Sequence, residues 1–498
     1  MYLLVLCGVV ILIWYLQFLW QNRRLYWYSY KTPGPIGLPF IGIAYKFLTR
    51  DISVILQRVI DIQTSYPQVA TIWFGPRLYY LVSKPEYIEK ILTSRSALNK
   101  DHVYQFMSDV GEGLVTVGAK KWRTHRKTII PSFNQKILEA YQDIFWNKAE
   151  QFTIVLQKEV ENKKVPMLKL VSHCTMDIVC ATTLGLNMNI QNSEEVEFIT
   201  ALEKLMEIIS VRMLHVWHQL RFTWRLYPMS REFDKAFKIA KDFSSTLIAN
   251  TKRKYESTRG NSSFEDDIAL AVQGKHRDGI SFLDLIYKNT KFTEQEITDE
   301  INTFLIAATD TTASGLCSIF TMLGMFQDIQ QKVFEELIDI LGPDRRAFPD
   351  DLPQLKYLER VVKESLRLFP PVPLIGRTLH EDIDGGDMIF PSRSSVIFGA
   401  VFIHRNPVYW PDPLKFDPDR FLPENTAKRH PCSYIPFSYG PRNCIGAKYA
   451  MMNMKTVLSA VLRKYKIFTE YKSVEEIKLS TSLILRLRDG PKVWIELR

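Results

Sequence analysis

The run Phe437-Ser-Tyr-Gly440-Pro-Arg442-Asn-Cys444-Ile-Gly446 sets one cysteine in a glycine-flanked turn with a guanidinium two positions before it. A free thiol ionises at a pH of about 8.5, so a sulfur kept permanently anionic needs a metal or nearby positive charge and N–H dipoles. Arg442 and a glycine-opened backbone are suited to supply the charge and the dipoles. Gly440 and Gly446 let the chain adopt positive φ and approach a flat macrocycle, while Phe437 can pack over the sulfur and exclude water. That is the chemistry of a thiolate held against a haem iron. A buried core cysteine would need none of these neighbours.

Three other groups of residues carry chemistry. Ile306-Ala307-Ala308-Thr309-Asp310-Thr311-Thr312 places small and then polar residues inside an apolar stretch, although Asp and Thr are poor helix-interior residues. Thr311 and Asp310 are suited to relay protons through water at a local opening of the helix. Trp122 and Arg126, four apart on one helical face, suit two hydrogen bonds to a carboxylate. Glu364 and Arg367 share a face three residues apart, and Phe416-Asp-Pro-Asp-Arg420-Phe421 follows them. An isolated pair at that spacing is worth well under about 1 kcal/mol.

These groups need rigid carriers. Thr293-Glu-Gln-Glu296 is a capping box, and the apolar pattern runs on to about Phe326 without proline, a helix about 50 Å long. Leu355 to Arg367 repeats apolar residues at three and four, an amphipathic helix. Ala70–Phe74 and Tyr79–Ser83 flank Gly75-Pro76-Arg77 as a hairpin, and Asp489-Gly490 is expected to turn a second one between Leu483–Leu487 and Lys492–Leu497. The fold class is mainly α with a small β region.

With 498 residues and 46% hydrophobic content, and with no flexible linker, the chain reads as a single large catalytic domain behind an N-terminal membrane anchor. The boundaries are 1–21 for a transmembrane anchor, 22–42 for a basic and proline-rich hinge, and 43–498 for the catalytic domain. Tyr2 to Trp20 is uncharged and nearly spans a bilayer core of about 30 Å. It lacks the basic start and small-residue cleavage pattern of a signal peptide. Arg23, Arg24 and Lys31 follow it, which puts the bulk of the chain in the cytosol. Closely spaced prolines from Pro33 to Pro39 stiffen the exit and set the distance between body and membrane. Six cysteines without paired or zinc spacing fit a reducing compartment. The net charge of +10 is spread along the chain without a nucleic-acid motif, which excludes that partner class.

The pattern F-x-x-G-x-R-x-C-x-G resembles the haem-ligand loop of the cytochromes P-450, and the anchor, proline hinge, Trp122, long helix, Glu364, Phe416 and Cys444 stand in that family's order. Glu300 to Thr312 together with Phe369-Pro-Pro-Val-Pro-Leu-Ile-Gly-Arg377 is similar to the family-four clan, and the chain reads as an arthropod microsomal member. The resemblance implies a haem-dependent monooxygenase that takes NADPH electrons from a flavoprotein reductase, with cytochrome b5 as a second donor. It implies Cys444 as the metal ligand; Trp122, Arg126, Arg377, Phe437, Arg442 and Gly446 as cofactor-binding residues; and Thr311 and Asp310 as catalytic residues. It also implies a buried triad of Glu364, Arg367 and Arg420, and a substrate pocket of Phe106, Val115, Phe304, Ala307, Leu374, Ile375 and Leu483. Lys120, Lys121, Arg123 and Lys127 resemble a docking face for the acidic reductase.

Two departures follow. Many family-four enzymes carry, where this chain has Ala307, a glutamate that esterifies the haem, so haem b is expected here without a covalent link beyond the thiolate–iron bond. Ala308 replaces the usual glycine and narrows the space beside bound oxygen. Both weaken transfer of terminal-carbon selectivity. A haem-thiolate isomerase or dehydratase of lipid peroxides, and a non-catalytic haem sensor, are the alternatives; the first needs neither a proton relay nor a basic docking helix. The expected location is the endoplasmic reticulum membrane.

Overall fold

A computed structural model describes residues 2–49, 51–193, 196–258, 281–289 and 292–498. The helices used below are α1 (Tyr2–Gln21), α2 (Arg23–Tyr30), α3 (Pro85–Thr93), α4 (Ala119–Ile129), α5 (Gln142–Gln157), α6 (Met167–Leu184), α7 (Glu197–Leu214), α8 (Glu294–Met325), α9 (Lys356–Leu368) and α10 (Ala447–Lys464). Helix dominates, and one hydrophobic core runs through α5, α6, α8, α9 and α10.

The long helix starts where the capping box places it. Thr293 Oγ1 accepts from Glu296 N at 3.2 Å and the Glu296 carboxylate accepts from Thr293 N at 3.0 Å, which satisfies two backbone donors at the first turn. From there α8 runs 32 residues through the molecule, with Ile301, Leu305, Leu316, Ile319 and Phe320 without exposed surface. The expected opening of its ladder is not found: α8 is uninterrupted, and the Thr311 hydroxyl donates to the Ala307 carbonyl at 2.6 Å. A threonine inside a helix meets its own i−4 carbonyl more readily than any distant partner.

The strands are β1 (Val69–Phe74), β2 (Arg77–Val82), β3 (Leu374–Thr378), β4 (Ile383–Asp384), β5 (Ile389–Phe390), β6 (Ser395–Gly399), β7 (Tyr465–Thr469), β8 (Leu479–Ser482), β9 (Ile484–Leu487) and β10 (Val493–Leu497). The main sheet has the order β1-β2-β6-β3, with β2 and β6 parallel. The β1–β2 hairpin forms as the sequence indicates. The C-terminal hairpin does not. β9 turns back on β8 at Leu483 (φ 69°), and β10 pairs with β7. Asp489-Gly490 does bend the chain, with Gly490 N donating to Leu487 O at 3.0 Å, but it bends it from one ladder into another. Alternation identified the strands and was silent on their partners.

The proline segment is bound to the sheet edge. Thr71 N donates to Pro33 O at 2.9 Å, Ile43 N donates to Trp73 O at 2.7 Å, and a Cβ at Gly34 would stand 2.0 Å from Thr71 O. α1 meets the body through Phe40, whose ring lies 5.1 Å from Trp14 and 4.3 Å from Tyr15. α2 turns 65° from α1, and its Tyr26 stacks on Trp73 at 4.2 Å. Apolar side chains along α1 are largely exposed, Trp14 at 59% among them.

Candidate active site

The cysteine loop is folded by its own backbone. Cys444 N donates to Phe437 O at 2.9 Å and Asn443 N to Gly440 O at 3.1 Å, closing two turns around the sulfur. Gly440 has φ 73°, and a Cβ there would stand 2.2 Å from the Leu92 carbonyl at the end of α3. Only glycine therefore fits between this loop and α3. Gly446 caps α10, so Cys444 lies just before a helix N-terminus whose N–H groups favour an anion. Cys444 keeps accessible surface as a residue, and Phe437 is half-buried beside it. Burial pushes the Cys444 thiol up, against the opposing pull of Gly446 N–H, Arg126 and Lys100. A cation of the metal kind is what would hold it as thiolate.

Cations converge beside this loop. Arg377 on β3 and Arg442 are 1% and 5% exposed. Arg442 donates to the carbonyls of Leu98 and Val117 and lies 5.3 Å from the Trp122 ring; it does not face the sulfur, as the sequence had suggested. Arg126 on α4 donates through Nη1 and Nη2 to Asn443 O at 2.6 Å and Asn443 Oδ1 at 2.7 Å, fastening α4 to the cysteine loop. Lys100, bridged by its backbone to Arg377, lies with its Nζ 4.8 Å from the Tyr104 ring. Burial first, then Arg377 and Arg442, hold its ammonium well below the usual range. Three buried guanidinium nitrogens, Arg126 Nε, Arg377 Nη2 and Arg442 Nε, have no hydrogen-bond partner among the described residues. No carboxylate among the described residues is paired with any of these four cations. Buried N–H groups are rarely left unpaired, and buried cations need counter-charge. The set fits a flat metal macrocycle with two carboxylates. Lys100 and Tyr104 escaped sequence reasoning because they sit in no motif.

Asp310 is engaged. Arg486 on β9 donates from Nη2 to Asp310 Oδ1 at 2.5 Å and from Nη1 to Glu203 Oε1 at 2.9 Å. Burial pulls the Arg486 guanidinium down, yet Asp310 and Glu203 outweigh it and hold it above its ordinary value. Thr309, next along α8, is buried and donates to Met176 Sδ at 3.4 Å.

Behind the loop, Arg367 donates to Glu364 and also to the carbonyls of His404 and Pro413 at 2.8 and 2.7 Å. Arg420 is a loose third member: its Nε stands 3.5 Å from Glu364 Oε1 without a hydrogen bond, while Asp417 N donates to that oxygen at 2.9 Å. His404 ties this unit to the cysteine side, accepting from Ile435 N at 2.8 Å.

The seven residues read as pocket-lining are dispersed. Phe106, Phe304 and Leu483 belong to one apolar cluster with Leu114, Val117 and Ile301, and Ala307 and Val115 are half-buried nearby in sequence. Phe304 stacks on Phe133 at 5.4 Å and meets Phe282 at 4.4 Å, so its ring fills a layer between helices. Ile375 packs in the core behind the sheet and Leu374 on the opposite layer. In helix α4, Lys120, Arg123 and Lys127 are exposed, whereas Lys121 is 3.4 Å from Glu296.

A mainly helical domain that brings a loop cysteine beside a cluster of cations is an architecture suited to holding an iron macrocycle. The cytochrome P450 family model matches residues 32–494. Cytochrome P450 4c3 of Drosophila melanogaster is 35% identical over 95% of this chain and 91% of its own length. Cytochrome P450 4c21 of Blattella germanica is 35% identical over 91% of each, and cytochrome P450 4V2 of Homo sapiens 34% identical over 96% of this chain and 92% of its own. The chain belongs to the cytochrome P450 family, within the family-4 group of these relatives, and is an oxidoreductase of the monooxygenase kind with a haem-iron cofactor.

Proposed function

We propose that this chain is a microsomal monooxygenase that inserts one oxygen atom from O2 into a hydrophobic organic substrate: a hormone, a fatty acid or a xenobiotic such as an insecticide. NADPH supplies electrons through a flavoprotein reductase, with cytochrome b5 as a second donor. The reaction balances as RH, O2, two electrons and two protons giving ROH and water. Haem b, bound without an ester to the protein because residue 307 is alanine, supplies oxygen activation when present.

The observation that carries this reading is the cation cluster beside Cys444, with its unpaired buried N–H groups. Arg377, Arg442, Arg126 and Lys100 would hold the haem carboxylates, Trp122 would pack beside Arg442, and Cys444 would ligate the iron. Asp310 and Thr311, adjacent on α8, would hold and move protons for the reaction. Glu364, Arg367 and the looser Arg420 hold the backbone behind the cysteine loop. The anchor reading of residues 1–21, with residues 43–498 on the cytosolic side of the endoplasmic reticulum, is supported by the exposed apolar α1 and the basic residues that follow it. Basic groups exposed on α4 support reductase docking.

The deciding experiment is the carbon monoxide difference spectrum of the reduced protein, paired with Cys444→Ser. A strongly red-shifted Soret band that disappears in the variant is expected. Its persistence in the variant would remove Cys444 as ligand. Shifts of the ferric Soret band across lipids, terpenoids and insecticides then identify the substrate class.

A further inference from the structure

Glu300 on α8 has no exposed surface, and its two carboxylate oxygens serve two other elements. Oε1 accepts from His125 Nδ1 on α4 at 2.6 Å, and Oε2 accepts from the backbone N–H of Leu114 at 3.1 Å. A buried carboxylate is costly, and an apolar side chain would fill the same space without that cost. What an apolar side chain could not do is hold the backbone of the loop before α4.

That loop lies directly on α8. Neither Gly111 nor Gly113 has a positive φ, yet a Cβ at Gly113 would stand 2.1 Å from Thr303 Oγ1 and 2.8 Å from Asp299 O, and one at Gly111 3.3 Å from Asp299 O. Close approach, not backbone conformation, requires glycine here. Gly113 O accepts from Thr116 N and Val117 N at 2.9 and 3.0 Å, closing a turn from Gly113 to Val117. Its far end is held by Arg442, whose Nη2 donates to Val117 O at 2.6 Å, so the turn is strung between α8 and a cation of the cofactor site. Leu114 and Val117 pack in one apolar cluster with Phe106 and Ile301, and Phe304 and Leu483 lie against it. With no side chains on Gly111 and Gly113 to key the turn into α8, the bond from Leu114 N to Glu300 sets its place. His125 steadies the carboxylate in turn, its ring 4.4 Å from Phe292 and its Nε2 3.4 Å from Glu296 Oε1.

We propose that Glu300 is the positioning residue for the Gly113–Val117 turn and, through Leu114 and Val115, a determinant of which hydrophobic substrates the pocket takes, with His125 orienting its carboxylate. The inference rests on the reading of Phe106, Val115 and Phe304 as pocket wall. The role calls for an acceptor at this place rather than for a charge. A glutamine meets it: the amide oxygen accepts from Leu114 N while the amide N–H donates to His125 Nδ1, the imidazole then carrying its proton on Nε2 toward Glu296.

The test compares Glu300→Gln, Glu300→Met, Gly113→Ala and Val115→Phe as full-length haem-loaded proteins. The ferric Soret shift gives dissociation constants for imidazole, which needs only the iron, and for 1-dodecylimidazole, whose tail must also occupy the pocket. Their ratio does not depend on haem content or on global stability. Met matches Glu in length but offers Leu114 N only a weak acceptor. In Glu300→Met the ratio should change by about tenfold, the scale of one misplaced methylene in an apolar pocket, and in Glu300→Gln it should stay within about twofold of the wild type. Hydrogen exchange of the Gly111–Val117 backbone, read by mass spectrometry, should speed up in Glu300→Met and not in Glu300→Gln. Gly113→Ala lifts the same turn with Glu300 in place; it should change the ratio as well, and it keeps the test decisive where Glu300→Met does not fold. A wild-type ratio in Glu300→Met or Gly113→Ala, or a change in Glu300→Gln as large as in Glu300→Met, overturns the inference while Val115→Phe still alters the ratio. If Val115→Phe leaves the ratio unchanged too, it is the pocket reading that fails.

Discussion

Glu364 accepts from Arg367 Nε at 2.6 Å and Nη2 at 2.8 Å, and neither side chain has any exposed surface. Arg367 spends its remaining N–H groups on the His404, Pro413 and Lys415 carbonyls, so the pair is the staple that fixes the chain leading to the cysteine loop. Removing one partner leaves a buried charge uncompensated, at about 3–5 kcal/mol. Glu364→Ala and Arg367→Ala should therefore yield protein without haem. Arg420→Ala, which removes a 3.5 Å contact to Glu364 and a hydrogen bond to Asp412 O but leaves the Glu364–Arg367 pair intact, should retain it. The haem-to-protein absorbance ratio after purification checks all three, and normal haem content in Arg367→Ala would refute the structural assignment.

His404 has no exposed surface, and burial, followed by the charge of Arg367, pulls its pKa down to about 3. The unfolded chain protonates this histidine near its ordinary value of 6.5, whereas the folded one leaves it neutral until about pH 3. Between those values the unfolded state binds the extra proton, so stability falls as pH is lowered, by up to about 1.4 kcal/mol per pH unit from this group. His404→Gln should flatten the slope of unfolding free energy against pH between about pH 6 and 4, whatever it does to absolute stability. An unchanged slope would show that other groups dominate acid unfolding.

Lys100 is held down by burial and by the charges of Arg377 and Arg442, with the Cys444 sulfur opposing them and no carboxylate paired with it among the described residues. If it takes a haem carboxylate, Lys100→Met loses a charged hydrogen bond worth about 1.5–3 kcal/mol. Haem transfer to excess apomyoglobin should then be at least about tenfold faster than from the wild type, with the thiolate-type carbon monoxide spectrum retained. Equal transfer rates would leave Lys100 outside the cofactor site.

Arg123 and Lys127 are exposed on α4, the helix that Arg126 fastens to the cysteine loop. Charge reversal at both should slow reduction of the iron by the reductase and weaken its dependence on ionic strength, since rim charges act chiefly on encounter. Stopped-flow reduction across a salt series measures this. A rate indifferent to salt in the wild type would remove the docking face.

The helices and the cysteine loop were readable in the residues because their signals are local. A capping box, a three-and-four apolar repeat and a glycine that must accept φ 73° each act within a few positions. What was not readable is pairing at a distance. Leu483–Leu487 looked like a partner for Lys492–Leu497, yet each strand found another ladder, since alternation carries no address. Arg486 sits in an ordinary Leu-Arg-Leu-Arg alternation, and nothing in that string announces an aspartate on α8. Arg442 was placed beside the sulfur by proximity in sequence, but two carbonyls hold its guanidinium, and Arg126 and Lys100 are the cations that act on the thiol.

The proline segment is bonded to the sheet through Thr71 N and Pro33 O, and Ile43, just after it, donates to Trp73 O, so this stretch of chain runs along the edge of β1. Because Phe40 clasps α1 from the same segment, helix, prolines and strand share one mechanical linkage. A tilt of α1 would therefore bear first on β1, the edge of the main sheet opposite the strand that carries Arg377.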